Sequence, residues 1–229
     1  IDNYVNLVFE AIKTSQNFYI SKAISPLLNL FIGKKMRKPF YEFSDKTTYE
    51  VLKSITDNEE LIKVLAGQYG DYGLPPKQSS FVMHAAVARH YFGGGSFPVG
   101  GSSQIAKTID AVIEKAGGTI LISADVEEII ISNNKATGVK MMDGKILTAK
   151  NIVSGAGIMN TYTKLLPSKT AKKHRLKKKL KRIKRSVSHA CLYIGLEGSP
   201  EELKLPKTNY WIYPSDLNHD SCVNRYLNN

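Results

Sequence analysis

The chain has 229 residues, of which 32 are Lys or Arg and 20 are Asp or Glu, so its formal net charge is +12. A hydrophobic content of 42% with 23% charged residues excludes wholesale disorder. Two cysteines exclude a disulfide-dense secreted scaffold and a four-cysteine zinc site. The length allows one large domain or two small ones. The apolar stretch 23–33 contains Pro26 and is too short to span a bilayer. Because the chain starts at Ile1 without a signal-type segment, we expect it to be a piece of a longer protein.

The first ninety residues have a helical pattern. Apolar residues recur at three- and four-residue spacings up to about residue 65, and Thr47 with Glu50 predicts a capping box. Asp57 with Glu60 predicts a second helix start of the same kind. A turn-rich break at 67–76 precedes a predicted helix over 79–90.

A glycine-rich loop at 93–101 leads into the most informative part of the chain. Ser102 and Ser103 are good capping residues for a helix that Gly117 and Gly118 end. Strands are then predicted, with tight turns at 133–134 and 143–144. These strands are residues 119–123, 126–132, 136–142, a further short segment and 152–153. The order indicates a mixed α/β or α+β architecture.

The glycine loop lacks the features of a nucleotide-hydrolysing P-loop. Gly101 stands where the essential lysine of that motif belongs. Either a helix N-terminus that accepts an anionic or electron-rich ligand, or a tight loop that only aims the helix, fits the spacing. His84 and His90 show no metal-ligand spacing and are typical of partly buried structural histidines, with catalysis as the alternative. No metal site is predicted.

The entire charge excess lies in one run. Between Lys164 and Arg185 there are 12 basic residues and no acidic one, which leaves 20 basic residues against the 20 acidic ones elsewhere. One helix is predicted over 164–187, because four apolar residues within it form a narrow stripe on one face: Leu176, Leu180, Ile183 and Val187. A solvated surface helix and attachment to an anionic membrane both fit. Nucleic acid is disfavoured because the run has no aromatic residues for base stacking. Strands are predicted at 189–196 and 210–213.

Six segments, in order and spacing, resemble the retinol-saturating branch of the carotenoid isomerase and phytoene desaturase family of FAD-dependent oxidoreductases. They are residues 67–76, 80–85, 98–106, 113–118, 152–162 and 201–210. The resemblance implies hydride transfer from reduced FAD to the 13,14 double bond of all-trans-retinol, with NAD(P)H as a possible electron source. Carotenoid isomerisation or desaturation is the alternative within the family, and a non-catalytic basic module that binds membrane or nucleic acid is the alternative outside it.

The resemblance also implies a domain organisation. The fold would be part of a two-domain, Rossmann-like FAD/NAD(P)-binding flavoprotein, although the chain contains no Gly-x-Gly-x-x-Gly unit. Residues 1–92 would be a helical substrate-domain portion, 93–160 an FAD-domain portion, and 161–229 a return to the substrate domain. The family places such enzymes at the endoplasmic reticulum membrane.

The resemblance assigns binding roles to individual residues but identifies no catalytic residue. It predicts FAD contacts for Gly100, Gly101, Ser102, Val126, Ala156 and Gly157. It predicts that His84, Tyr91 and Phe97 line a channel for a retinoid or carotenoid substrate.

Overall fold

The computed structural model of the chain describes residues 1–183, 188–206, 208–215 and 218–228. The chain divides into unit 1, which is Ile1–Gly95 with Ser186–Asn229, and unit 2, which is Ser96–Arg185. In chain order the elements are α1 (Asp2–Ala23), α2 (Pro26–Leu28), a π-helical turn (Asn29–Gly33), α3 (Lys34–Ser44), α4 (Thr48–Lys53), α5 (Glu59–Leu65), a 3₁₀ turn (Gly67–Asp71), α6 (Phe81–Tyr91), α7 (Ser103–Lys115), β1 (Val126–Ser132), β2 (Lys135–Met141), β3 (Ile146–Thr148), α8 (Ile158–Asn160), a second π-helical turn (Thr161–Leu165), α9 (Ser168–Lys173), α10 (Leu176–Leu180) and α11 (His219–Asn228). Helices with a small antiparallel sheet confirm the expected mixed architecture.

The core of unit 1 lies between α1 and α6. Tyr4, Val8 and Ala11 occupy one face of α1 because residues three and four apart lie on the same side of a helix. They meet Phe81 and Ala85 of α6, and residues of α4 and α5 complete the cluster. This packing fixes the face of α6 that carries His84.

The two predicted helix starts in unit 1 have different outcomes. At α4 the backbone N–H of Glu50 donates to Oγ1 of Thr47 (3.2 Å), and the N–H of Thr47 donates to Oε2 of Glu50 (2.7 Å), which confirms the capping box. The predicted start at Asp57 is wrong. Asn58 caps α5 instead, because its side-chain oxygen accepts from the N–H of Leu61 at 3.0 Å.

The sheet of unit 2 is a meander in the order β1-β2-β3, with antiparallel neighbours. Asn133 and Asn134 both have positive φ, as the predicted two-residue turn between β1 and β2 requires. Gly144 (φ 85°) lies in the turn before β3. The predicted end of α7 is also confirmed, since the N–H of Gly117 donates to Glu114 and that of Gly118 to Ile113.

Several predicted strands are not strands among the described residues. Residues 119–123, 152–153, 189–196 and 210–213 are assigned to no helix or strand. A β-strand is defined by backbone hydrogen bonds to a neighbour, and apart from one isolated bridge between Thr47 and Ser80 the described part of the chain forms such pairs only among β1, β2 and β3. The apolar sequences of these four segments favour strands, but among the described residues the segments have no neighbouring strand with which to pair.

The apolar face of α7 is exposed within unit 2. Ile105, Ile109 and Val112 share the helix face that the sequence predicted, and each is more than half exposed. No described helix combines the length and the apolar character needed to cross a bilayer.

The basic run does not form the single helix predicted over 164–187. The second π-helical turn, α9 and α10 follow one another, and Arg175 between α9 and α10 has a φ of 52°. A right-handed helix cannot continue through that left-handed conformation. Leu176 and Leu180 are buried, whereas Ile183 is 49% exposed; Val187 lies outside the described residues. The expected stripe is thus divided, and two of its members pack inside unit 2.

Candidate functional site

Unit 1 contains a largely apolar cavity of about 550 Å³, which we call the aromatic cavity. Its walls come from α1, α5, the 3₁₀ turn, the end of α6 and the segment 211–213. The lining residues are Tyr4, Lys63, Val64, Leu65, Gly67, Gln68, Ala88, Tyr91, Phe92, Trp211 and Tyr213. A cavity of this size, with mostly apolar walls and a few polar groups, is typical of small-molecule sites.

His84 lies behind this cavity, buried in the core on α6. The hydroxyl of Tyr4 is 3.0 Å from its Nε2, and the hydroxyl of Tyr72 is 3.2 Å from its Nδ1. Burial lowers the pKa of His84 to about 4 and raises the pKa of Tyr4 to about 12, so both are neutral at pH 7. A neutral imidazole donates from one nitrogen and accepts at the other, so one tyrosine donates to the ring and the other accepts from it.

Tyr91 lines the aromatic cavity at the last turn of α6. Its hydroxyl donates to Oδ2 of Asp71 at 3.3 Å, and the charge of that carboxylate raises the pKa of Tyr91. Phe92 follows it, and its ring packs against Phe9 with centroids 5.7 Å apart. The end of α6 therefore supplies both a hydroxyl and an aromatic wall.

Tyr213 attaches the segment 210–213 to the 3₁₀ turn. Its hydroxyl donates to the carbonyl of Gly67, and its ring packs against Tyr69 and His219. Nε2 of His219 lies 2.9 Å from the carbonyl oxygen of Lys63, which connects α11 to α5. These contacts hold the Trp211 side of the cavity in place.

A second cavity, of about 790 Å³, is lined by residues of the same segment. It shares Trp211 and Tyr213 with the aromatic cavity. Its remaining lining residues are Tyr69, Gly70, Ser188, His189, Ala190, Tyr210, Ile212, Cys222, Val223 and Tyr226. Two aromatic side chains thus line both of these ligand-sized spaces.

The three predicted channel residues have different environments. Tyr91 lines the aromatic cavity, and His84 reaches it only through its hydrogen bond to Tyr4. Phe97 belongs to unit 2, where its side chain is 75% exposed. Their role as a channel stays a prediction.

All six predicted FAD contacts belong to unit 2. Gly100 (φ 86°) and Gly101 (φ 90°) form the turn before α7, and Ser102 is its N-cap without a side-chain hydrogen bond. Val126 begins β1 opposite Met141. Gly157 (φ 80°) precedes α8, and the carbonyl of Ala156 accepts from Nδ2 of Asn160 at 3.0 Å. These residues lie in three separate segments, and their contact with a cofactor stays a prediction.

The sequence pattern missed Tyr4, Tyr72, Trp211 and Tyr213. Trp211 is the sole tryptophan of the chain, and aromatic side chains are common in ligand cavities, so 210–213 carried a usable signal. Tyr4 carried none, because its partner His84 is 80 positions away.

Comparison with known proteins reveals a close relationship to one group of enzymes. No protein-family model matches the chain. The all-trans-retinol 13,14-reductase of Danio rerio is 33% identical over 234 residues, which cover 99% of this chain and 38% of the relative. The lycopene-forming phytoene desaturase of Paracoccus sp. is 34% identical over 122 residues, 53% of this chain and 24% of the relative. The chloroplastic prolycopene isomerase of Daucus carota is 44% identical over 78 residues, 34% of this chain and 12% of the relative.

These matches confirm the family resemblance drawn from the motifs. The chain spans about 38% of the length of the reductase that it matches from end to end. Over nearly all of its residues, the chain is a homologue of the all-trans-retinol 13,14-reductases.

Proposed function

We propose that this chain forms part of a flavin-dependent oxidoreductase that saturates the 13,14 double bond of all-trans-retinol to give 13,14-dihydroretinol. The observation that carries the proposal is the aromatic cavity, whose walls suit a conjugated hydrocarbon with one polar end. Homology to proteins named all-trans-retinol 13,14-reductase supports this choice of substrate. The reaction adds a hydride to one carbon of the double bond and a proton to the other.

In this proposal the cavity walls exclude water and orient the polyene. Leu65, Ala88 and Phe92 supply apolar surface, and Trp211 supplies a flat ring against which conjugated carbons pack. Lys63 and Gln68 are polar groups in the lining that can bind the terminal hydroxyl of retinol. A dry site also protects a reactive intermediate from water.

FAD is the proposed cofactor, within a two-domain flavoprotein, and when bound it supplies the hydride chemistry. The backbone at two predicted contacts leaves room for it, because a Cβ built on Gly101 or Gly157 would meet no atom within 4 Å. Gly100, Ser102, Val126 and Ala156 would hold other parts of the same cofactor. NAD(P)H as the electron source and the endoplasmic reticulum membrane as the location belong to the same proposal.

Carotenoid isomerisation or desaturation is the second candidate function. It is favoured by the shorter matches to proteins named phytoene desaturase and prolycopene isomerase. A carotenoid hydrocarbon has no hydroxyl for Lys63 or Gln68 to bind. Relative affinity for retinol and lycopene therefore separates the two candidates.

The fluorescence of Trp211 tests the proposal directly, because it is the chain's sole tryptophan and lines the aromatic cavity. We expect saturable quenching by all-trans-retinol and weaker quenching by lycopene. Val64→Phe adds bulk to the lining and should raise the Kd for retinol about tenfold. Val112→Phe, on an exposed position of α7, is the matched control and should leave the Kd unchanged. Absence of quenching, or equal Kd values for Val64→Phe and the unsubstituted chain, would refute retinol binding in this cavity.

A further inference from the structure

Unit 2 contains a pocket of about 280 Å³ that the proposed function leaves unexplained, which we call the basic pocket. It is formed by the second π-helical turn, α9 and α10. Its lining residues are Tyr162, Thr163, Leu166, Ser168, Ala171, Lys172, Arg175 and Lys178. Three of these are cations with exposed side chains and none is acidic, so positive charge is concentrated along the pocket lining.

The three cations of the basic pocket are not neutralised by the described residues. The ion pairs that the described part of the chain forms engage Lys53, Lys140 and Lys145, with Asp or Glu partners. None of those pairs includes Lys172, Arg175 or Lys178. Positive charges that share one pocket repel one another, so an anion bound between them relieves that repulsion.

The remaining polar groups of the pocket add neutral hydrogen-bond donors. The hydroxyls of Tyr162 and Ser168 have no partner assigned among the described residues, whereas Oγ1 of Thr163 donates to the carbonyl of Met159 at 2.8 Å. A guanidinium, two ammonium groups and two hydroxyls match a ligand with several acceptor oxygens on one centre. A phosphate group has that arrangement.

The pocket is held by packed structure. Leu176 and Leu180 of α10 are buried, and so is Ala171 of the preceding helix α9. Arg175, with φ of 52°, turns the chain between the two helices. The cations therefore belong to a structured corner of unit 2.

We propose that the basic pocket binds a phosphate group, either as free phosphate or as the headgroup of an anionic phospholipid. The proposal is independent of the aromatic cavity, because every residue that lines the basic pocket belongs to unit 2. The apolar wall at Leu166 and Ala171 gives a headgroup's first methylenes a surface to contact.

Calorimetric titration of the 229-residue chain with inorganic phosphate tests the pocket. The pocket variant Lys172→Gln/Arg175→Asn/Lys178→Gln removes the three cations, and Asn tolerates the left-handed conformation at position 175. The matched control, Lys169→Gln/Lys179→Gln/Lys181→Gln, removes the same charge from the run outside the lining. We expect the pocket variant to bind phosphate at least tenfold more weakly and the control to bind within about twofold of the unsubstituted chain.

Flotation with phosphatidylcholine vesicles containing phosphatidic acid identifies the source of the phosphate. Loss of flotation in the pocket variant alone identifies a lipid headgroup, and loss of only the calorimetric signal identifies free phosphate. Equal weakening in both triple variants in both assays, or no binding by the unsubstituted chain, would overturn the proposal. The single exposed change Lys172→Gln should give a partial loss, which keeps the test readable if the triple variant loses structure.

Discussion

The hydroxyl of Tyr4 lies 3.0 Å from Nε2 of His84, which connects the first turn of α1 to the first turn of α6. Tyr72 occupies the other ring nitrogen, so both hydrogen-bonding positions of a buried imidazole are satisfied. This arrangement contributes to stability because each group would be costly to bury alone.

Replacing His84 with Ala should lower the free energy of unfolding by about 3 kcal/mol. The change leaves two tyrosine hydroxyls without their partner and opens a cavity in the core. Urea denaturation followed by circular dichroism measures the effect. His90→Ala, on an exposed position of the same helix, is the control and should change the value by less than about 0.5 kcal/mol. Equal effects of the two changes would contradict the structural role of His84.

Stability should fall as the pH is lowered from 6.5 towards 4. Burial depresses the pKa of His84 from 6.5 to about 4, so in this range the unfolded chain binds a proton that the folded chain does not. The contribution of this pKa difference to the free energy of unfolding is complete above pH 6.5 and amounts to no more than about 3 kcal/mol. Unfolding free energies measured across this range should show a shallower slope for His84→Gln than for the unsubstituted chain. Parallel slopes would mean that another group titrates.

Tyr213→Phe should loosen the attachment of the segment 210–213, which lines both cavities. The substitution removes the donor to the carbonyl of Gly67 while it keeps the ring, and should cost about 1 kcal/mol. Trp211, two positions away, should then show red-shifted emission and a weaker response to retinol. Tyr210→Phe removes an exposed hydroxyl from the same segment and should leave the emission unchanged. A red shift in both variants would assign the effect to the segment rather than to this hydrogen bond.

Gly157→Ala should destabilise unit 2 by about 1 kcal/mol although the space around it is empty. A Cβ there would meet no atom within 4 Å, but the φ of 80° is strained for any other residue. Gly155→Ala is the matched control, because its surroundings are equally open and its φ is not in the left-handed region. Thermal unfolding should separate the two variants. A Tm for Gly157→Ala equal to that of Gly155→Ala would show that the turn tolerates a side chain.

The chain on its own should bind FAD weakly. It carries the six predicted contact residues but no Gly-x-Gly-x-x-Gly unit, the motif that places a pyrophosphate at a helix N-terminus. Equilibrium dialysis with FAD, followed by flavin absorbance, measures this. Stoichiometric retention of yellow flavin by residues 1–229 would contradict the expectation.

Local signals predicted local structure well. The capping box at Thr47, the turn at Asn133 and the helix end at Gly117 were correct because each depends on residues within four positions of one another. The strands at 189–196 and 210–213 were wrong because pairing depends on a partner elsewhere in the chain.

In the candidate site, too, contacts between residues distant in the sequence could not be predicted from local signals. Tyr91 lines the aromatic cavity, but its role in a substrate channel stays a prediction. The Tyr4–His84 contact could not be predicted locally, because it depends on α1 and α6 packing together. The basic run shows the limit of periodicity, because its spacing was helical but the backbone turns at Arg175.

The exposed apolar face of α7 has a consequence for how this polypeptide behaves at high concentration. This face consists of Ile105, Ile109 and Val112, and it is exposed on a chain whose net charge of +12 opposes self-association. Salt screens that repulsion but leaves the apolar face intact. Solutions of the chain should therefore scatter more light as ionic strength rises, and Ile109→Lys should delay the onset of turbidity.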